Sequence, residues 1–311
     1  MRRKNPIPLL LFLLAAPAAQ GQAPFVFDRG YQPGQEFSYH LEDRRRQQSG
    51  ETVSSTVASA ESLHQVAFEA GVPVETVHWT EVVDLTTGQR RTDLAGVPAT
   101  RISLHPNGPI EPGKPAGDPV MLGMVTDLAT FYVAASPRAG IANLHLPGDR
   151  AVAAAPVFGD FADGAVFLVG QDKLRAEIEM TALSAQLVEY TTYLQPVAFE
   201  AGELYRDFMQ QPACGNAPNN IQYVRKHEAG YRAVWGCETI TIQTKIDRQS
   251  GIIVESLMVS YLLQNVKTCQ DAALTQCSDG EPIEENRTVE LKLLDDSASP
   301  QRPNLPPRQR R

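Results

Sequence analysis

The chain has 311 residues, 28 Lys and Arg against 36 Asp and Glu, a formal net charge of −8 and four cysteines. That acidic balance argues against nucleic acid and anionic membrane as partners for the body of the protein, because both are bound through excess Lys and Arg. The length suits one large β-rich domain or two small ones, at roughly 100 to 200 residues per domain.

Met1-Arg-Arg-Lys4, the apolar run Leu9 to Leu14 and the small residues Ala15 to Ala19 have the order of a secretory leader. The apolar run is shorter than the roughly 18 to 20 residues needed to span a bilayer, and A-x-A patterns at Ala16-Pro17-Ala18 and Gly21-Gln22-Ala23 offer cleavage points. Residues 1–23 are therefore predicted to be a signal peptide, and its removal would move the formal charge from −8 to −11 by taking Arg2, Arg3 and Lys4 and no acid. The expected location is the periplasm or the outside of a bacterial cell, and no later segment is long and apolar enough to be a transmembrane helix.

After an extended lead-in, Phe37, Tyr39 and Leu41 alternate with Ser38, His40 and Glu42, which predicts a half-buried strand over 36–46. Arg44 to Gly50 reads as its polar tip. Return strands are predicted over 52–58, 62–68 and 74–85. The last closes on Asp84-Leu-Thr-Thr-Gly88, echoed later by Asp247-Arg-Gln-Ser-Gly251. In both, Asp and Thr or Ser can bond the turn backbone and Gly supplies the positive φ.

Pro and Gly punctuate residues 95–119 around one short strand, 100–104. The period then changes from two to between three and four. Met121, Met124, Val125, Leu128, Phe131, Tyr132 and Ala135 fall on one stripe, Asp118 can cap, Pro119 suits the first turn and Pro137 ends the run. This predicts one amphipathic helix lying on a sheet. Met121, Met124, Leu128, Phe131 and Tyr132 are the candidate lining for an apolar ligand, against the alternative of ordinary core packing.

Beyond the helix, short strands are expected at 141–146, 151–158 and 165–169. Leu174, Ala176, Ile178 and Met180 oppose Arg175, Glu177 and Glu179 in a further strand, followed by one over 183–195 and a helical stretch over 200–210. Residues 221–266 then form a β-meander, its middle strand placing Ile240, Ile242 and Ile246 opposite Thr239, Thr241, Gln243 and Lys245. A last strand covers 287–294, and residues 295–311, rich in Pro and Arg, are predicted to be a disordered tail. The fold class is mainly β (α+β): antiparallel curved sheets and meanders with one helix. Residues 24–294 form the exported region, which could divide into two similar sheets at about 24–136 and 137–294.

Cys214, Cys237, Cys269 and Cys277 make an even count in a predicted exported chain and read as disulfides, with Cys214–Cys237 and Cys269–Cys277 the favoured pairs. Their spacing does not resemble the paired motifs of zinc sites, so no metal and no cofactor is expected. No G-x-S-x-G, H-E-x-x-H, G-x-G-x-x-G or Walker motif occurs. The six histidines lie in six segments. His145 with Asp149, and Glu177 with Glu179, are the pairs best spaced for acid–base work; a strand end beside a Pro-Gly turn is the favoured account of the first, and a wet strand face accounts for the second equally well. Asp160 and Asp163 are too few oxygens for a calcium loop.

These features favour an exported, non-catalytic envelope protein whose curved sheet binds a lipid or other apolar small molecule, or an envelope protein partner. The chain's rhythm is loosely similar to that of the half-barrel lipoprotein carriers of bacterial periplasms, whose single sheet would account for about half of it. The alternatives are a secreted hydrolase with a site assembled from distant loops, and a structural or adhesive module. A His, a carboxylate and a hydroxyl converging in one place would favour the hydrolase.

Overall fold

The computed structural model describes residues 30–94, 96–105, 110–111, 113, 118–136, 140–153, 167–200, 202–227 and 230–294. The predicted leader, the tail and the Asp160–Asp163 turn lie outside them. The strands are β1 (Glu36–Ser49), β2 (Thr52–Glu69), β3 (Val72–Asp84), β4 (Gln89–Arg91), β5 (Thr100–Ser103) and β6 (Ile110–Glu111), followed by the helix α1 (Pro119–Ala134). Then come β7 (Arg150–Ala153), β8 (Phe167–Asp172), β9 (Leu174–Leu183), β10 (Leu187–Pro196), β11 (Ile221–His227), β12 (Gly230–Asp247), β13 (Ile253–Cys269) and β14 (Glu281–Leu294).

All pair antiparallel in one open sheet of order β6-β5-β3-β2-β1-β14-β13-β12-β10-β9-β7, with β4 beside β3, and β11 between β12 and β8. The contact that joins the chain's two halves is β1 with β14, in register from Ser38 opposite Leu294 to Ser49 opposite Ile283. Strands before and after α1 therefore share one ladder. Period-two alternation puts one face of every long strand into a common core. Phe37, Tyr39 and Leu41 of β1, Leu174 to Met180 of β9, Ile242 and Ile246 of β12, and Val289 and Leu291 of β14 all enter it. The helix enters the same core. Because strands from opposite ends of the sheet bury side chains together, the sheet must curl, as the inherent strand twist and its bulges allow.

One bulge lies between β2 and β3. Glu61 faces Glu81 while Ser62 faces Trp79, so Thr80 has no residue opposite it. The inward series on β3 accordingly runs Val77, Trp79, Val82 and changes parity at Thr80. β2 is a single strand where two short ones, 52–58 and 62–68, were expected, because Ala60, Ser62 and His64 keep the alternation with small and polar side chains. Arg44 to Arg46 belong to β1, and the turn is Gly50-Glu51. Residues 141–146 are not a strand. Ile141–Asn143 form a 3-10 turn after Gly140, and the Asp149 carboxylate accepts the amides of His145 and Leu146 at 2.7 and 2.9 Å. Of the helical stretch expected over 200–210, only a 3-10 turn at Asp207–Gln210 forms.

The two Asp-x-x-[Thr/Ser]-Gly turns are the same structure. Asp84 Oδ1 accepts the amides of Thr86 and Thr87 at 2.9 and 3.1 Å, and Asp247 Oδ1 accepts those of Gln249 and Ser250 at 3.1 and 2.7 Å. Gly88 and Gly251 both take φ 74°. The disulfides pair Cys214 with Cys237 and Cys269 with Cys277. They border a smaller cluster on the other face of β12, where Met209, Val224, Ala233, Trp235 and Leu274 pack.

Candidate functional site

α1 is the element around which the inner face is arranged. Asp118 caps it by accepting the Met121 amide at 3.1 Å. Met121, Met124, Leu128, Phe131 and Tyr132 are each at most 2 % exposed. The opposite side is made by Leu122, Gly123, Thr126, Ala129 and Val133, of which only Thr126 is exposed. The residues predicted as a ligand lining are thus brought together on one surface, which faces the sheet. Asp127 is the helix's single charged residue.

That carboxylate meets Arg287 of β14. Arg287 also forks onto Asp43 of β1, Nε to Oδ1 at 3.0 Å and Nη2 to Oδ2 at 2.9 Å. Arg45 reaches Asp43 at 3.2 Å and Glu285 at 3.6 Å, and on β12 Glu238 accepts the Ser260 hydroxyl. The apolar inner face of β1 therefore gives way, two residues beyond Leu41, to a belt of charge crossing β1, β14, β13 and β12. Burial pushes the Asp127 carboxyl up to about 6 against the pull of Arg287, with the Asp43 charge adding to the rise. Burial also raises Glu238. For Arg287 burial works toward a lower value, and the Asp127 and Asp43 carboxylates overcome it and hold the guanidinium above its ordinary range.

A second polar group lies deeper. Ser62 and His64 are two residues apart on β2 and so share the inner face. Ser62 Oγ is 3.1 Å from His64 Nε2, and His64 Nδ1 is 3.1 Å from Glu75 Oε2 of β3. Tyr132 of α1 donates its hydroxyl to the same Glu75 oxygen at 2.5 Å. The imidazole is boxed by rings: Phe37 and Tyr132 stack at centroid distances of 5.1 and 6.1 Å, and Tyr39 meets it edge-on at 4.8 Å. Ser62, His64 and Glu75 are all at most 2 % exposed. Trp79, opposite Ser62 in register, is buried, and its Nε1–H has no hydrogen-bond partner among the described residues. A serine, a histidine and a carboxylate thus converge under the helix.

The pairs singled out for acid–base work lie at the surface, where Asp149 accepts the His145 amide at 2.7 Å. His145 is exposed on its turn, and Glu177 and Glu179 bind Arg150 at 3.3 and 2.7 Å on the outer face of β9. Among the described residues no group of three or more His, Cys, Asp or Glu is arranged to hold a metal ion, and no helix is long and apolar enough to cross a membrane. The clusters at Ser62–His64–Glu75 and Asp43–Asp127–Arg287 escaped the sequence reading. The one available signal was Asp127, a lone charge within sixteen otherwise uncharged helical residues.

No described protein family and no curated protein matches this chain. Among solved structures it is similar to OccK2 (OpdF) of Pseudomonas aeruginosa, at 10% identity over 83% of this chain and 97% of that one, with a TM-score of 0.20. OccK2 in complex with glucuronate aligns at 8% identity over 83% and 96% of the two chains, TM-score 0.18. OccK11 (OpdR) of the same organism aligns at 8% over 86% and 99%, TM-score 0.20. At such scores the likeness carries no argument about this chain.

Proposed function

We propose that this chain is an exported envelope protein that binds an apolar molecule on the inner face of its curled sheet, in exchange with the stripe of α1. The observation that carries this reading is the placement of Met121, Met124, Leu128, Phe131 and Tyr132, an apolar surface supplied by a helix outside the sheet's ladder. Removing α1 breaks no strand pairing. It parts Asp127 from Arg287 and Tyr132 from Glu75 and exposes apolar area, worth about 25 cal/mol per Å², which a lipid-like chain could cover. The two disulfides suit an oxidising compartment.

The test is native mass spectrometry of the protein purified from a bacterial periplasm, followed by organic extraction. A co-purifying apolar molecule of defined mass is expected, with reduced occupancy in a Phe131→Ala variant that keeps its circular dichroism. A bare chain mass together with an extract free of apolar material would sink the reading.

A further inference from the structure

We propose that Ser62, His64 and Glu75 form an acyl-transfer relay beneath α1, acting on esters of long-chain apolar acids. The assignment rests on the apolar inner face proposed above, since the acyl chain would lie where the α1 stripe now lies.

The hydrogen bonds run in the order that nucleophilic catalysis requires. With Glu75 ionised, its Oε2 can only accept, which assigns the imidazole proton to Nδ1 and leaves Nε2 as the acceptor for the Ser62 hydroxyl. Glu75 is a positioning residue in this scheme, fixed in turn by the Tyr132 hydroxyl. Trp79 adds the remaining element. Directly opposed residues on adjacent strands have Cβ atoms about 4.5 to 5.5 Å apart, so Trp79 springs from beside Ser62 on the same inner face, and its buried indole carries an N–H with no partner among the described residues. Such a donor beside the nucleophile can bind the oxygen on which negative charge develops. Both residues border the bulge at Thr80, the kind of irregularity that re-aims side chains next to reacting groups. A passive core needs no such set, because apolar side chains of similar volume stabilise an interior at least as well as a buried ionic group.

In the reaction, Ser62 Oγ bonds to the ester carbonyl carbon as its proton passes to His64 Nε2. The tetrahedral intermediate, its oxyanion held by Trp79, expels the alcohol, which leaves with the proton from Nε2. Water then gives a proton to Nε2 and adds to the acyl group, and collapse releases the acid and restores the serine. Ester and water become acid and alcohol, with no other reactant. Access requires the Tyr132 end of α1 to lift, which an apolar chain competing for its stripe would promote.

The experiment uses the full chain with a long-chain alkyl fluorophosphonate and its ethyl analogue, with and without non-ionic micelles, read by intact mass and peptide mapping. One adduct on Ser62 is expected, formed faster with the long chain and faster in micelles. It should be absent from a Ser62→Ala variant of unchanged unfolding midpoint and slowed about 100-fold or more in His64→Gln. Failure to label Ser62 under either condition overturns the relay, as does equal labelling of the Ser62→Ala variant. If an apolar molecule nevertheless co-purifies, the binding function stands without catalysis. Equal rates for the two chain lengths would overturn the substrate class.

Discussion

The Tyr132 hydroxyl of α1 donates to the Glu75 carboxylate of β3 across 2.5 Å, joining residues 57 positions apart in the chain. Glu75 also bonds His64, so the contact ties the helix to both strands of the β2–β3 hairpin. Tyr132→Phe keeps the ring and its stacking on His64 and removes the hydroxyl, which bonds the Glu75 carboxylate and lies 3.3 Å from His64 Nδ1. It should cost about 1.5 to 3 kcal/mol. Urea unfolding should show a lower midpoint at unchanged slope. An unchanged midpoint would mean that the Tyr132 hydroxyl contributes nothing to holding α1 on the hairpin.

Arg287 faces two carboxylates, and Asp43 already satisfies it with a two-pronged bond. Asp127 is the second, with its folded value raised to about 6 from an ordinary 3.8, chiefly by burial. Between those values the folded chain keeps a proton that the unfolded chain has released. The stability from this site is therefore fully present below about 3.8 and is lost as pH rises through about 6, an effect on the order of 3 kcal/mol between the limits. Asp127→Asn should remove that slope, and at pH 7.5 the variant should be at least as stable as the parent. Carboxylates lowered by hydrogen bonds, such as Asp149 and Asp271, contribute slopes of opposite sign. The quantity to measure is therefore the difference between variant and parent from pH 4 to 7.5. A difference that does not change with pH would locate the titration elsewhere.

Much of this architecture was legible because it is written locally. Phe37-x-Tyr39-x-Leu41 and the alternation from Leu174 to Met180 give strand and face together, and Asp84 and Asp247 announce their turns with side chains that bond the next few amides. What stayed hidden depends on distant partners. Nothing near β1 signals that it pairs with β14 more than 200 residues later. Ser62, His64 and Glu75 look like wet-face residues because an inward polar side chain is tolerated only when others satisfy it, and those others are on β3 and α1. Even the expected wet side of α1 is mostly half-buried, for the helix has no charge there to keep in water.

The two disulfides close loops of different size, with sequence separations of 23 for Cys214–Cys237 and 8 for Cys269–Cys277. Unfolded-state entropy then assigns them about 3.5 and about 2.5 kcal/mol. The first ties the loop before β11 to β12, and the second closes the end of β13. Double Cys→Ser variants should both fold, with the Cys214/Cys237 pair the more destabilised in denaturant titrations. The reverse order would show that the short loop also organises the Trp235 cluster around it.

Two glycines should respond in opposite directions to the same substitution. Gly236 lies within β12, where an added Cβ would meet the Leu263 carbonyl oxygen at 2.0 Å and the Gln264 Cα at 2.7 Å. Both are backbone atoms of the paired strand β13, so no side-chain rotation relieves the clash and the ladder itself must move. Gly236→Ala should therefore cost several kcal/mol, in the range of overpacked interiors. Gly123 lies on the half-buried side of α1, and a Cβ there meets nothing within 4 Å among the described residues. Alanine at that position restricts the unfolded chain and suits a helix, so Gly123→Ala should stabilise by about 0.5 to 1 kcal/mol. Thermal and urea unfolding of the pair checks both signs. A destabilised Gly123→Ala would mean that this side of α1 is closely packed against another part of the chain, and the helix could then not lift toward a ligand without breaking that contact first.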